Sequence, residues 1–217
     1  GVISESTPDS AKVAITTYLT PDAKIRNLRG MTDSYTEGDG PAKYVSSVSL
    51  LSPGADRDSS KRTNMTSVQH SSGIQAVGYT STPVRTGYEK VMAHRVDDLF
   101  AYTAKQDGKI TDKDDRTVTI TYKDGTEVTK PIGTQYAKVA DGSAKHVLKC
   151  DLEVGRSVKA GDVITYNDAF FEPDFFDPKQ VSYKAGAMAK VVLMETSDTL
   201  EDGSAISPRL SKALATP

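Results

Sequence analysis

The chain has no tryptophan, only 7% aromatic residues and a single cysteine in 217 residues. One cysteine excludes an internal disulfide framework and cysteine-rich zinc sites, and it suits a reducing compartment. Cys150 therefore reads as a small packed hydrophobe. No apolar run reaches the roughly 18 residues that a membrane-spanning helix needs, and no charged-then-apolar leader opens the chain, so the expected location is the cytoplasm. Nor is there an excess of charge. Lysine and arginine number 27 against 29 aspartates and glutamates, a net charge of −2. That balance lacks the broad basic field of an autonomous nucleic-acid binder, so any such contact is local or shared with partners. The first residue is Gly1 rather than Met, which reads as a processed piece or fragment.

What is plentiful is Thr, Ser, Val, Gly and Asp, a composition of short strands joined by turns. Lys12 to Leu19 alternates as a strand, residues 21–41 are polar and glycine-rich and read as a loop, and Tyr44 to Leu51 reads as a second strand. A helix is expected from Asp56 to Val68, capped by Asp56 or Asp58, with Met65 and Val68 on one face. The clearest local signal is Thr117 to Tyr122, then Lys123-Asp124-Gly125, then Thr126 to Thr129, a tight hairpin around Asp-Gly. Gln106 to Ile110 is a weaker turn. Val158 to Ile164 carries a charged turn into a short apolar strand, Lys190 to Met194 reads as the last strong strand, and Ser207-Pro208 starts a short helix. The expected fold is mainly β with short helices, a β-rich α+β domain.

Few residues carry chemistry by spacing alone. His70, His94 and His146 show no ligand spacing with one another or with Cys150, and the glycines assemble no phosphate-binding loop. The run from Phe170 to Pro178 holds four phenylalanines, Glu172, Asp174 and Asp177. It looks superficially like a metal loop, but its aromatics and prolines favour an aromatic plug or a partner contact.

Four blocks carry a resemblance. They are Gly1 to Asp9 with its Thr7-Pro8-Asp9; Tyr44 to Pro53 with Ser60-Lys61-Arg62-Thr63-Asn64-Met65; Val84-Arg85-Thr86-Gly87-Tyr88-Glu89; and Val158 to Ile164 with Tyr183 to Leu210, which contains Glu201-Asp202. In this order they resemble the central part of the β, or second-largest, subunit of multisubunit DNA-directed RNA polymerases. The resemblance implies part of that subunit's double-psi barrel and hybrid-binding region. Residues 1–55 would form a fork-side segment with a shortened insertion at 21–41, and residues 56–217 the start of the hybrid-binding, barrel-like domain.

By the same resemblance, Arg62 contacts the nucleotide triphosphate, Glu201 and Asp202 lie in the outer shell near the second metal, and Lys61 and His70 are candidate RNA or DNA contacts. Ser71 and Ser72 stand where the family has a second basic residue and a glutamine that touch RNA. The family's later lysine-bearing region and the largest subunit's catalytic metal loop are both missing, so the chain cannot polymerise RNA alone. Mg2+ would belong to the assembled enzyme only, and no metal to this chain by itself. Partners would be the largest-subunit chain, the remaining β pieces, DNA, RNA and NTP. Compactness and divergence point to a bacteriophage form, with a location in the host cytoplasm or the virion. The competing readings are a polymerase-derived binding or regulatory protein without catalysis, and a structural β domain of a virion.

Overall fold

The computed structural model describes residues 10–12, 15–34, 36–71, 74–140, 142–195, 197 and 203–216. The chain divides into two compact units, one comprising Gly1–Ile74 and Val84–Tyr88, the other Gln75–Pro83 and Glu89–Pro217. None of the described helices is long and apolar enough to cross a membrane.

The first unit is held by short helices and polar contacts. Helix α1 (Ser47–Leu51) replaces the strand expected from Tyr44 to Leu51. Its cause is Ser46, whose Oγ accepts the Ser49 N–H at 3.1 Å, so a local cap outweighs the alternation. Helix α2 (Ser60–Ser71) starts later than expected. A 3-10 turn covers Ala55–Arg57, Asp58 accepts the Ser59 N–H, and the Ser59 hydroxyl rather than an aspartate faces the Arg62 N–H. The two helices meet through hydroxyls, with Ser67 Oγ 2.8 Å from Ser46 Oγ and both residues buried. Met65 and Val68 are 41% and 43% exposed, so they do not form a core face. Ser10–Lys12 is a 3-10 turn, and no strand runs through the described residues 15–20. A strand needs a hydrogen-bonded neighbour, and alternation supplies none.

The second unit is built from antiparallel sheets. Strands β1 (Ala101–Thr103), β2 (Gly108–Lys113), β3 (Thr117–Tyr122), β4 (Glu127–Pro131), β5 (Gly133–Val139), β6 (Gly142–Lys149), β7 (Ser157–Val158) and β8 (Val163–Asn167) form two four-stranded sheets. Their orders are β1-β8-β6-β5 and β4-β3-β2-β7, and neither closes into a barrel. A two-stranded sheet pairs β9 (Phe171–Pro173) with β10 (Val181–Tyr183).

Strand β3 obeys its period of two. Val118, Ile120 and Tyr122 are buried, while Thr119 and Thr121 on the other face bond the hydroxyls of Thr129 and Thr111 at 2.9 and 3.0 Å. Its hairpin to β4 turns over Lys123-Asp124-Gly125: Gly125 N–H donates to Tyr122 O, Tyr122 N–H donates to Thr126 O, and Gly125 has φ 84°. This three-residue loop puts glycine at its left-handed position. The two large sheets share a core of Tyr102, Ile110, Ile120, Val158 and Ile164, with the half-buried Cys150 against it, where burial pushes its thiol pKa up. Phe171, Val163, Tyr166 and Val181 form a second cluster. Strand β8 supplies side chains to both, which explains its unbroken burial.

Gly108 sits where β2 pairs with Tyr122 on one side and Val158 on the other. A Cβ there would lie 2.6 Å from Thr121 O. Gly108→Ala should therefore lower stability by about 2 kcal/mol through backbone displacement, read as a drop in the urea midpoint at unchanged slope.

At the C-terminal side, helix α4 (Pro208–Ala213) begins as expected, with Ser207 Oγ accepting the Leu210 N–H at 3.2 Å. Lys190 to Met194 differs from expectation. It is irregular, with Val191 80% and Leu193 96% exposed, because no described strand lies alongside to pair with its β-forming residues.

Candidate functional site

Helix α2 holds three of the five site residues expected from sequence. Lys61, Arg62 and His70 are all exposed on it. At about 100° per residue, Ser67 lies roughly 140° around the helix from Arg62, so the buried seam with Ser46 turns the Arg62 side chain toward solvent. Among the described residues its guanidinium makes no ion pair, which leaves a planar cation available to an oxyanion. His70 lies eight residues further on, about 12 Å along the axis, so it and Arg62 cannot hold the same phosphate group. Glu201 and Asp202 lie outside the described residues, as do Thr7-Pro8-Asp9 and Ser72.

The second and third resembling blocks meet within the first unit. Thr86 Oγ1 donates to Leu50 O at 2.6 Å, and Thr86 also accepts the Tyr88 N–H at 3.2 Å. Gly87 has φ 94°, a conformation that side-chain-bearing residues rarely adopt, and this lets the chain turn into helix α3 (Tyr88–Val91). Glu89 of that helix is buried. Thr63, next to Arg62, and Thr86 both border a cleft of about 580 Å³, walled by Tyr44, Val45 and Leu50 with Asp56 and Asp58 at its polar side. Arg62 itself does not line it. The cleft is mostly apolar, a surface for a flat or aliphatic group more than for a polyphosphate.

In the second unit the acidic aromatic run is organised around one carboxylate. Asp174 is buried in the β9–β10 turn; its Oδ1 accepts the N–H groups of Phe176 and Asp177 at 2.9 and 3.0 Å, and its Oδ2 accepts the Ser182 hydroxyl at 2.6 Å. The Lys90 ammonium stands 3.2 Å from Oδ1. Burial alone would raise this carboxyl's pKa, but the bonds from Ser182, Phe176, Asp177 and Lys90 together hold it well below the ordinary 3.8. Glu172 is likewise occupied, its Oε1 accepting the N–H and hydroxyl of Ser81 at 2.7 and 2.5 Å. These carboxylates fasten loops. Among the described residues, no three His, Cys, Asp or Glu side chains gather as a metal cage.

No family model and no curated protein matches the chain. Its candidate sites therefore stand on geometry and on the order of the sequence blocks.

The four phenylalanines of the run separate. Phe170 meets Phe100 edge-on at 5.0 Å and Phe171 is 1% exposed, whereas Phe175 and Phe176 are 88% and 76% exposed. Composition shows an aromatic cluster, but which rings face inward follows from the strand ending at Pro173, and the clamp role of Asp174 is not evident from composition. The available signal was Asp two residues before Phe176, the spacing of an aspartate that caps its own turn.

Proposed function

We propose that the chain is a piece of the second-largest subunit of a DNA-directed RNA polymerase, of a divergent bacteriophage kind, that walls the active centre while another chain supplies the catalytic metal loop. One observation carries this reading: four separate blocks resemble that family and follow one another in the family's order, from Thr7-Pro8-Asp9 through Arg62 and Thr86-Gly87-Tyr88-Glu89 to Glu201-Asp202. Two features support it. The glycine of the third block occupies a left-handed turn that calls for glycine, and Arg62 is an exposed cation without an ion pair among the described residues. Open sheets and the exposed Val191 to Met194 run accord with a barrel that other chains complete.

In this reading Arg62 neutralises the triphosphate of the incoming nucleotide, and Glu201 and Asp202 approach the second Mg2+ of the assembled enzyme from the outer shell. Lys61 and His70 contact RNA or DNA at positions separate from that phosphate. Nucleotidyl transfer is largely a matter of positioning and charge neutralisation, so a chain without a metal loop can still contribute to it.

Co-purification of the untagged protein from its native source should recover a chain carrying an aspartate-rich metal loop; recovery with no such partner sinks the reading. In the assembled enzyme, Arg62→Ala should reduce kcat/KM for NTP by on the order of tenfold or more through loss of a charge-assisted phosphate contact. An unchanged value would remove Arg62 from the site. A second reading, a non-catalytic regulator, is favoured by Ser71 and Ser72 where the family carries RNA contacts. It predicts a chain that binds polymerase yet whose Arg62→Ala variant leaves nucleotide kinetics unaltered.

A further inference from the structure

We propose that the outward face of the β5–β6 ribbon binds single-stranded nucleic acid, stacking a base on Tyr136 and holding the flanking phosphates with Lys138 and Lys145. This does not rest on the polymerase reading.

The register gathers the three side chains. Tyr136 is paired with Lys145 across the two strands and Lys138 follows Tyr136 by two residues, so all three project from one face. An opposed pair brings its Cβ atoms to about 5 Å, and the next side chain on the same face lies about 7 Å along the strand, so the ring has an ammonium group on two sides. Tyr136 is 69% exposed, Lys138 and Lys145 are exposed, and the small side chains of Thr134 and Ser143 on that face leave the ring accessible. The other face of the ribbon turns inward, with Leu148 buried and Gln135 and His146 half-buried. Pairing from Gly133 with Leu148 to Val139 with Gly142 fixes the backbone before any ligand arrives, which lowers the ordering cost of binding.

The positive charges are free to act. Neither Lys138 nor Lys145 makes an ion pair among the described residues. Lys145 also borders a cavity of about 230 Å³ whose walls include Val147, Asp168 and Lys184. There the Asp168 carboxylate is engaged by Lys149 at 2.8 Å, while the Lys184 ammonium donates to the Asp168 main-chain oxygen at 2.6 Å, a bond that leaves its charge uncompensated. Residues 133–149 hold three lysines against one aspartate, Asp141, which lies outside the described residues.

Ring and charge together select the occupant. A flat aromatic face between unpaired cations suits a strand whose bases are unstacked and whose phosphates flank each base. A duplex keeps its base faces covered, an acidic peptide would use the lysines without the ring, and an anionic lipid surface would find little else apolar here to insert.

The test measures fluorescence anisotropy of labelled oligo(dT) and oligo(U) with the full chain, each at two salt concentrations. Both probes carry the shared chemistry, and the tighter of the two identifies DNA or RNA as the natural strand; failure of both to bind at micromolar protein overturns the proposal. Tyr136→Ala should raise Kd fivefold or more and Tyr136→Phe less than twofold, because stacking needs the ring and not the hydroxyl. Lys138→Ala with Lys145→Ala should raise Kd at least fivefold and reduce the slope of log Kd against log salt by about 1.4, two single-strand phosphate contacts. All these side chains are exposed, so Tm should stay within about 2 °C. Lys109→Ala with Lys212→Ala removes the same charge from exposed positions elsewhere and should leave Kd within twofold. An unchanged Kd in Tyr136→Ala, or equal losses in the two lysine pairs, sinks the ribbon site. So does displacement of the oligonucleotide by anionic phosphatidylserine vesicles or by polyglutamate at equal charge. Binding confirmed here in a chain that recovers no polymerase partner would leave this proposal standing and count only against the polymerase reading.

Discussion

Phe171→Ala is expected to lower the unfolding free energy by about 3–5 kcal/mol, whereas Phe175→Ala and Phe176→Ala should each change it by less than about 0.5 kcal/mol. The three residues fall within six positions, so composition treats them alike. Burial separates them. Phe171 is 1% exposed, lies in one cluster with Ala93, Ala101, Val163, Tyr166 and Val181, and meets the Tyr183 ring edge-on at 5.9 Å. Removing that ring forfeits its transfer free energy and leaves a cavity bounded by strand residues that pairing prevents from collapsing. Beyond Pro173 the chain leaves β9, and the next two rings point into water. Urea denaturation of the three variants decides the matter. Equal losses at positions 171 and 176 would mean that the run packs as one unit.

The elements legible in the sequence are those whose determinants are local. Asp124-Gly125 fixes its own hairpin, Ser207-Pro208 starts its own helix, and the alternation of Thr117 to Tyr122 survives because β2 and β4 lie on either side to pair with it. The same kind of alternation failed in Tyr44 to Leu51, where Ser46 offered a competing cap. It failed again in Lys190 to Met194, where no described strand lies alongside. Period-two patterning states that a segment can pair and is silent on whether a partner exists. Site residues follow the same rule. Arg62 was expected on a short polar helix, and α2 carries it there. The role of Asp174 is not legible in its run of carboxylates and aromatics, because its decisive contacts come from Lys90, far away in sequence, and from Ser182 on the paired strand.

Asp174→Ala should cost about 3 kcal/mol at neutral pH, because truncation removes the carboxylate that the buried Ser182 hydroxyl, the Lys90 ammonium and the Phe176 and Asp177 N–H groups all bond. The loss should depend on pH in a definite direction. The folded carboxyl titrates below its ordinary value of 3.8, so its contribution is complete at neutral pH, begins to fade at about pH 5 as the unfolded chain takes up protons, and is lost as acid protonates the folded group at still lower pH. The stability gap between wild type and Asp174→Ala should accordingly be widest at pH 7 and narrow toward pH 3 and below. Asp39, Asp107, Asp114 and Asp124 also have lowered pKa values, so wild type and variant alike will weaken in acid. These groups are common to both proteins and cancel in the difference, which isolates Asp174. A stability gap that stays constant between pH 7 and pH 3 would mean that the ionised carboxylate is not what holds the turn, leaving its order to Pro173, Pro178 and the strand pairing.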